Sequence, residues 1–294
     1  MRNIVDQAPK LGEKISWFPG HMYRALRLMR DKQENIDYFI EIRDSRIPIS
    51  SRNQEFDDLC QFYNKKKIIV FNKYDLSNQR VINNLVEKYT KVGIDCFSVS
   101  ALKGTNMPNV NEQILKRIQG KYSTVGIWLM ICGMPNVGKS TIINQLRTLI
   151  RQKSINKSEA TPCTTKSIVG VKISQDPLIY LVDTPGVMIP NIQDDEVFTY
   201  KLKSLKLSLV GCIKDVIPGK EIILDYLVYV LNKYKIQKYK EYYGIKQEIK
   251  CGDDLFCFIR DKYRHYNYQT TYDMIIDDFR QGKLGKFTMD IIDF

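Results

Sequence analysis

The octapeptide Gly133-Met134-Pro135-Asn136-Val137-Gly138-Lys139-Ser140 fits the pattern G-x-x-x-x-G-K-[ST]. Glycines at both ends let the backbone curl around an anion, with successive N–H groups and a following helix start turned towards it. Lys139 adds a point charge for β- and γ-phosphates, and Ser140 a hydroxyl for Mg²⁺. Asn136, Val137, Gly138, Lys139, Ser140 and Thr141 are therefore the candidate phosphate-binding residues. Asp183-Thr184-Pro185-Gly186 begins 50 positions after Gly133 and closes an apolar run. An acid at such a strand end reaches Mg²⁺ through water, and Gly186 offers a backbone N–H to a γ-phosphate. Between them lies Ala160-Thr161-Pro162-Cys163-Thr164-Thr165-Lys166. A hydroxyl from Thr165, or else Thr164, would complete the Mg²⁺ shell, which makes Ser140, Thr165 and Asp183 the metal set.

A second group reads a base. Asn72-Lys73-Tyr74-Asp75 resembles the NKxD guanine-reading motif of GTPases. Its carboxylate, Asp75, accepts from guanine N1–H and the 2-amino group, a donor pair that adenine lacks. Asn72 supports the pocket and the Lys73 stem covers the ring. Ser100-Ala101 looks like the second guanine contact, made by backbone N–H. In an ordinary GTPase this motif follows the phosphate loop; here Asn72 precedes Gly133 by 61 positions. Either the match is accidental, leaving a P-loop ATPase or kinase, or the elements are circularly permuted.

These residues need a scaffold that delivers them to one edge. Tyr38–Ile42, Lys67–Phe71, Asp95–Ser100 and Ile127–Cys132 read as strands, and Ile168–Ile173 with Leu178–Val182 as a hairpin. Val81–Val92 has apolar residues at helical spacing, and Val110–Ile118 and Thr141–Arg151 also read as helices. The expected fold is α/β, a mostly parallel sheet flanked by helices; with a genuine base reader it is a circularly permuted P-loop GTPase fold. Ligands of such folds bind at the carboxyl ends of strands, where every motif here falls. Beyond residue 193 the signal is helical, at Glu196–Leu209, Glu221–Tyr234, Tyr239–Tyr243, Asp253–Asp261 and Tyr272–Arg280. The expected division is an amino-terminal extension over 1–14, the GTPase domain over 15–192 and a smaller all-α domain over 193–294.

The chain has 294 residues, 44% of them hydrophobic, enough for sizeable cores. No apolar run approaches the roughly 18–20 residues of a membrane span. The net charge of +12 suggests a polyanionic partner, nucleic acid being the usual one. Residues 1–192 hold 28 Lys and Arg against 17 Asp and Glu, whereas residues 193–294 hold 17 against 16. The seven cysteines form no C-x2-C pair, which argues against zinc and for a reducing compartment. Arg24, Arg27 and Arg30 recur on one helical side, suited to phosphate contact or to a solvated face.

The motif order resembles the circularly permuted GTPases of the YlqF/RbgA family. So does Trp17-Phe18-Pro19-Gly20-His21-Met22, a string highly specific to that group. Arg43-Asp44-Ser45-Arg46-Ile47-Pro48 resembles its D-A-R-I-P element, and Phe279–Lys286 its closing segment. The similarity covers about residues 15–294, and Tyr226–Tyr234 with Tyr242-Tyr243-Gly244 look nearest to the mitochondrial ribosome-associated branch. The resemblance implies a GTP hydrolase that binds the large ribosomal subunit and its rRNA during assembly, with GTP, GDP and Mg²⁺ bound and hydrolysis driving release. The all-α domain would help grip the particle. The implied location is the mitochondrial matrix, with the cytoplasm as the alternative and a peripheral inner-membrane association by family analogy. Asn136 would help hold K⁺. Val187 stands where many GTPases use Gln to orient water; the resemblance gives that catalytic role to His21, whereas the residues alone favour His21 as the cap of a basic helix after the Pro19-Gly20 turn. A structural His21 would make the protein a nucleotide-binding assembly factor with negligible turnover. Cys163 departs from the family's glycine in the switch and puts its path in question.

Overall fold

The structure, a computed structural model, describes residues 34, 36–118, 126–154, 170–175, 178–183, 197–215, 218–264 and 267–290. Among these, two compact units separate, one holding every strand and the other purely helical.

The first unit is built on six strands: β1 (Tyr38–Asp44), β2 (Lys66–Asn72), β3 (Cys96–Ser98), β4 (Ile127–Gly133), β5 (Gly170–Gln175) and β6 (Leu178–Asp183). They line up in the order β3-β2-β1-β4-β6-β5. All neighbours are parallel except the expected hairpin of β5 and β6. β1 is buried along its whole length; Tyr38, Ile40 and Ile42 make one face apolar, while the other carries Phe39 and the mutually paired Glu41 and Arg43. Among the described residues four helices accompany the strands: α1 (Gln54–Phe62), α2 (Gln79–Lys91), α3 (Met107–Ile118) and α4 (Lys139–Ser154). On one face Phe39, Met130, Cys132 and Val182 meet Phe56 and Leu59 of α1. Beside them Ile69 and Phe71 meet Ile82 and Leu85 of α2. Val110 and Ile114 of α3, with Ile142 and Leu146 of α4, are buried likewise, and α4 packs along β4, β5 and β6.

Starting at β4 and reading on through β6, then β1 to β3, restores the order of an unpermuted nucleotide-binding sheet. The inverted motif order is therefore a matter of where the chain is opened, and the neighbours of each strand are unchanged. The central position of β4 places the phosphate-loop strand between β1 and β6.

Helix α1 is absent from the sequence reading. Its signal was present: the Asn53 side chain caps it by accepting from the Glu55 N–H at 3.1 Å, and Phe56, Leu59 and Cys60 recur at helical spacing. The third strand is shorter than expected, Cys96–Ser98 against 95–100. Asp95 and Val99 still bond β2, the Ile69 N–H donating to the Asp95 carbonyl at 2.9 Å and the Val99 N–H to the Phe71 carbonyl at 2.8 Å, whereas Ser100 turns away to pair with Thr105.

The helical unit comprises α5 (Val197–Leu209), α6 (Lys220–Lys233), α7 (Lys238–Tyr243), α8 (Gly252–Tyr263) and α9 (Tyr268–Arg280). Its core helix is α6, with Ile223, Leu224, Leu227, Val228 and Leu231 buried. Polar anchors fasten the rest. Arg280 of α9 donates to the Ser208 carbonyl and to Asp215, each at 2.8 Å, and the Tyr243 hydroxyl donates to Asp278 at 2.9 Å. No helix among the described residues is long and apolar enough to cross a membrane.

Candidate functional site

The carboxyl ends of β2, β1 and β4 lie side by side, with Asp44 opposite Asn72 and Ile42 opposite Gly133. The base-reading tetrapeptide and the phosphate loop, 61 positions apart in the chain, are thereby brought into direct contact. The contact runs through Asn72. Its Nδ2 donates to the Val137 carbonyl at 2.8 Å, and its Oδ1 accepts from the Ala101 N–H at 3.0 Å. One amide side chain, itself 3% exposed, thus ties the phosphate loop to the Ser100-Ala101 loop. An aspartate could accept from Ala101 but could not donate to Val137, so this position requires both functions of an amide.

Lys73 makes the second tie. Its Nζ donates to the Asn136 carbonyl at 2.7 Å and lies 3.0 Å from Asp44 Oδ2. Both Lys73 (φ 61°) and Asn136 (φ 59°) adopt the left-handed conformation, which turns their carbonyls and side chains out of regular strand or helix geometry. Tyr74 is buried and its hydroxyl donates to Asn83 on α2 at 3.0 Å, so it serves the core while its neighbours face the site.

The phosphate loop has the backbone that its pattern predicts. Gly133 (φ 148°) leaves no room for a side chain: a Cβ there would stand 2.4 Å from the Ile42 carbonyl oxygen. At Gly138 (φ 96°) a Cβ would stand 2.2 Å from Asn72 Nδ2. The second glycine is therefore required by the base-reading segment as well as by an anion. Lys139 is buried, its ammonium accepted by the carbonyls of Gly133 at 3.2 Å and Met134 at 2.8 Å. Ser140 and Thr141 occupy the first turn of α4, where N–H groups free of helical partners converge. Asp183 ends β6 opposite Ile131 of the phosphate-loop strand. His21, Thr165 and Gly186 lie outside the described residues.

Asp75 stands at the open side of this cluster. Burial works against its charge, yet the Ser100 hydroxyl and the Lys103 ammonium, 3.0 Å from Oδ2, hold its pKa below the usual carboxylate range. The carboxylate is ionised at neutral pH, as acceptance from two donors requires. Lys103 was not among the residues singled out from the sequence, although a lysine two positions beyond Ala101 was the available signal. A donor group of a ligand approaching Asp75 would compete with it. Lys103 is more than half exposed, so the pair is weak, of order 0–1 kcal/mol. Lys103→Ala should tighten GDP binding no more than about fivefold, measured by titration calorimetry. A large loss of affinity would instead make Lys103 part of the binding surface.

Asp44 is the other functional residue without an assigned role in the sequence. It is completely buried, and Arg46 grips it through Nε at 3.0 Å, Nη2 at 2.7 Å and its own backbone N–H at 3.0 Å. Burial opposes its charge, but Arg46 and then Lys73 outweigh that and place its pKa far below the ordinary range. Its neighbour Arg43 pairs with buried Glu41 at 2.7 Å, and Glu41 in turn accepts from the Asn53 N–H that opens α1. The Arg43-Asp44-Ser45-Arg46 string thus has two jobs: Arg43 faces the α1 side of the sheet, and Asp44 faces the nucleotide end.

Known proteins agree with this geometry. A family model described as 50S ribosome-binding GTPase matches residues 129–250. Mitochondrial GTPase 1 of Aedes aegypti is 33% identical, covering 95% of this chain and 94% of its own length. Ribosome biogenesis GTPase A of Priestia megaterium is 30% identical, covering 94% and 96%. Mitochondrial ribosome-associated GTPase 1 of Xenopus tropicalis is 34% identical over 82% of this chain and 77% of its own. The GNP-bound YlqF of T. maritima superposes with a TM-score of 0.58, covering 91% of this chain and 97% of that one at 22% identity, a likeness of fold. With its sheet opened ahead of β1 and its base reader bonded to a phosphate loop that follows it, the chain belongs to the YlqF/RbgA family of circularly permuted GTPases.

Proposed function

We propose that the protein hydrolyses GTP while bound to the large ribosomal subunit, acting in that subunit's assembly within mitochondria, in the matrix. The observation that carries the nucleotide half of this reading is the Asn72 bridge, which makes guanine recognition and phosphate binding one structural unit. The ribosomal half is supported by the names of the relatives and by the basic charge of +12, which suits rRNA.

In this reading Asp75 selects guanine, Asn72 and the Ala101 N–H hold the pocket, and residues 136–141 cradle the phosphates. Lys139 leaves its carbonyl partners to meet the β- and γ-phosphates. The oxygen donors offered by Ser140, Thr165 and Asp183 suit Mg²⁺, which is a hard cation. When bound, Mg²⁺ neutralises charge between the phosphates. Asn136 would hold K⁺. His21 orients the attacking water, since Val187 has no polar atom to do so. Residues 15–192 form the GTPase domain and 193–294 the RNA-binding domain, after an extension over 1–14. Gly186 lies only a few positions before the helical domain, so γ-phosphate loss passes directly into it and releases the particle.

Single-turnover hydrolysis, with and without purified large subunits, in K⁺ and then Na⁺, tests the scheme. The expected result is acceleration by subunits and by K⁺. His21→Ala should retain GTP affinity and lose at least about tenfold in turnover. Negligible hydrolysis under every condition would mark a nucleotide-binding structural factor, and unchanged turnover in His21→Ala would remove that residue from the chemistry.

A further inference from the structure

Residues 193–294 are nearly neutral, yet the fold does not spread their charge evenly. The turn after α6 and the stretch that follows α9 lie against each other. The Tyr234 ring stacks on Phe287 with centroids 6.1 Å apart. A Cβ on Gly285 would stand 2.6 Å from Ile236, a measure of how closely the two segments approach. Lys283 lies with its Nζ 5.9 Å from the Tyr242 ring and bonds Asp278 at 2.8 Å. Lys233 reaches over Tyr234 at 5.6 Å, and Lys240 over Tyr239 at 6.0 Å.

Around this juxtaposition lie Lys233, Lys240 and Lys283, each against a tyrosine ring, and beside them in the chain stand Lys235, Lys238 and Lys286. Four of them, Lys233, Lys235, Lys238 and Lys286, are exposed. The carboxylates near these residues are Glu241 on α7, Glu248 beside Tyr239, Asp290 near Tyr234, which is paired with Lys206 at 2.8 Å, and Asp278, which is committed to Tyr243 and Lys283. Within the lysines stand two large aromatic side chains open to solvent, Tyr234 at 36% and Tyr242 at 44% exposed. Both are backed by other rings, Phe287 behind Tyr234 and Tyr243 edge-on to Tyr242 at 5.0 Å, so they are held in place.

Fixed aromatic rings among flexible cations suit an unpaired nucleic-acid strand. Each exposed base stacks on a ring with little regard to sequence, and the lysines track the phosphates. A duplex keeps its base faces covered and can use only the lysines. An anionic lipid surface would use the lysines too, but it favours apolar side chains that insert, and the exposed rings here carry hydroxyls. We propose that this face of the helical unit binds single-stranded RNA, with Tyr234 and Tyr242 as stacking platforms. The proposal rests on the rRNA reading above and adds the surface and the strandedness.

The test uses the full chain, an unstructured single-stranded RNA, a duplex of the same length, and vesicles of phosphatidylglycerol, read by fluorescence anisotropy and co-sedimentation. The single strand should bind at least about tenfold tighter than the duplex. Tyr234→Ala with Tyr242→Ala should lose about tenfold or more in single-strand affinity, while the double Phe variant, which keeps both rings, retains it. Lys235→Glu with Lys238→Glu and Lys286→Glu should reduce the slope of log K against log salt by about 2. Basal GTP hydrolysis should be unchanged in all of them, and an unchanged helical circular-dichroism signal and thermal midpoint report an intact helical unit. Equal affinity for duplex and single strand, or no loss in the double Ala variant, overturns the stacking face while leaving the rRNA reading standing. Vesicle binding through these lysines without RNA binding overturns it in favour of a membrane surface. Failure of the unaltered protein to bind any RNA at low salt overturns the rRNA reading itself.

Discussion

Asp75→Asn should weaken GTP and GDP binding by at least about a hundredfold and confer binding of xanthosine nucleotides. The carboxylate accepts from two guanine donors, and hydrogen bonds to a charged partner contribute about 1.5–3 kcal/mol each. The amide replaces one acceptor with a donor, so guanine keeps one bond, from N1–H, and its 2-amino group is left facing a second donor. Xanthine carries a carbonyl in place of that amino group and matches the amide. Because Asp75 is held ionised, with a pKa below its ordinary 3.8, guanine affinity should be flat through neutral pH and fall only on acidification past that lowered value. The substitution should leave stability little changed, because the Asp75 ion-pair partner is an exposed lysine. Titration of the variant with GDP and with XDP decides the matter. Unaltered GDP affinity with no XDP binding would mean that the motif is not a base reader, and an ATP-binding protein would become the better reading.

Asp44→Ala should be the most destabilising single change at the site, by about 3–5 kcal/mol, because it strands the buried Arg46 guanidinium without a counter-charge. Lys73 also loses one of its two holds, so nucleotide affinity should fall along with stability. Asp44→Asn keeps the shape and removes only the charge, and should fall between the alanine variant and the unaltered protein. The effect has a pH signature. The folded carboxylate has a pKa below the unfolded value of 3.8, so its stabilisation is fully present above that value and is lost as pH falls towards the folded one. Urea midpoints for the strand-bearing unit should therefore differ most between unaltered and Asn variant at neutral pH and converge in acid. Equal midpoints at pH 7 would show that Arg46 and Lys73 do not depend on this charge.

Most of the chemistry was legible before any fold was known, because it rests on residue types that nothing else explains. A G-x-x-x-x-G-K-S string behind an apolar run needs a backbone free to turn, and the φ of Gly133 and Gly138 meets that need. The alternation of strands and helices was equally visible. Helix α1 escaped because it is short, and its charged stretch carries only three buried residues. Asp44 and Lys103 escaped for a different reason. Their roles depend on what stands opposite them, Lys73 in one case and Asp75 in the other, and those partners are 29 and 28 positions away in the chain.

By itself the sequence determined the ligand class, the permuted order and the candidate residues for each phosphate and base contact. Those follow from local chemistry: donors, acceptors and glycines at set spacings. Tertiary structure alone decided that the two motifs form one site, because only the parallel pairing of β1 with both β2 and β4 sets Asn72 against Val137. It also decided where the charge of the helical unit acts. A nearly neutral stretch of sequence becomes a lysine face with two open tyrosines, because folding sorts side chains by position in space and composition only counts them.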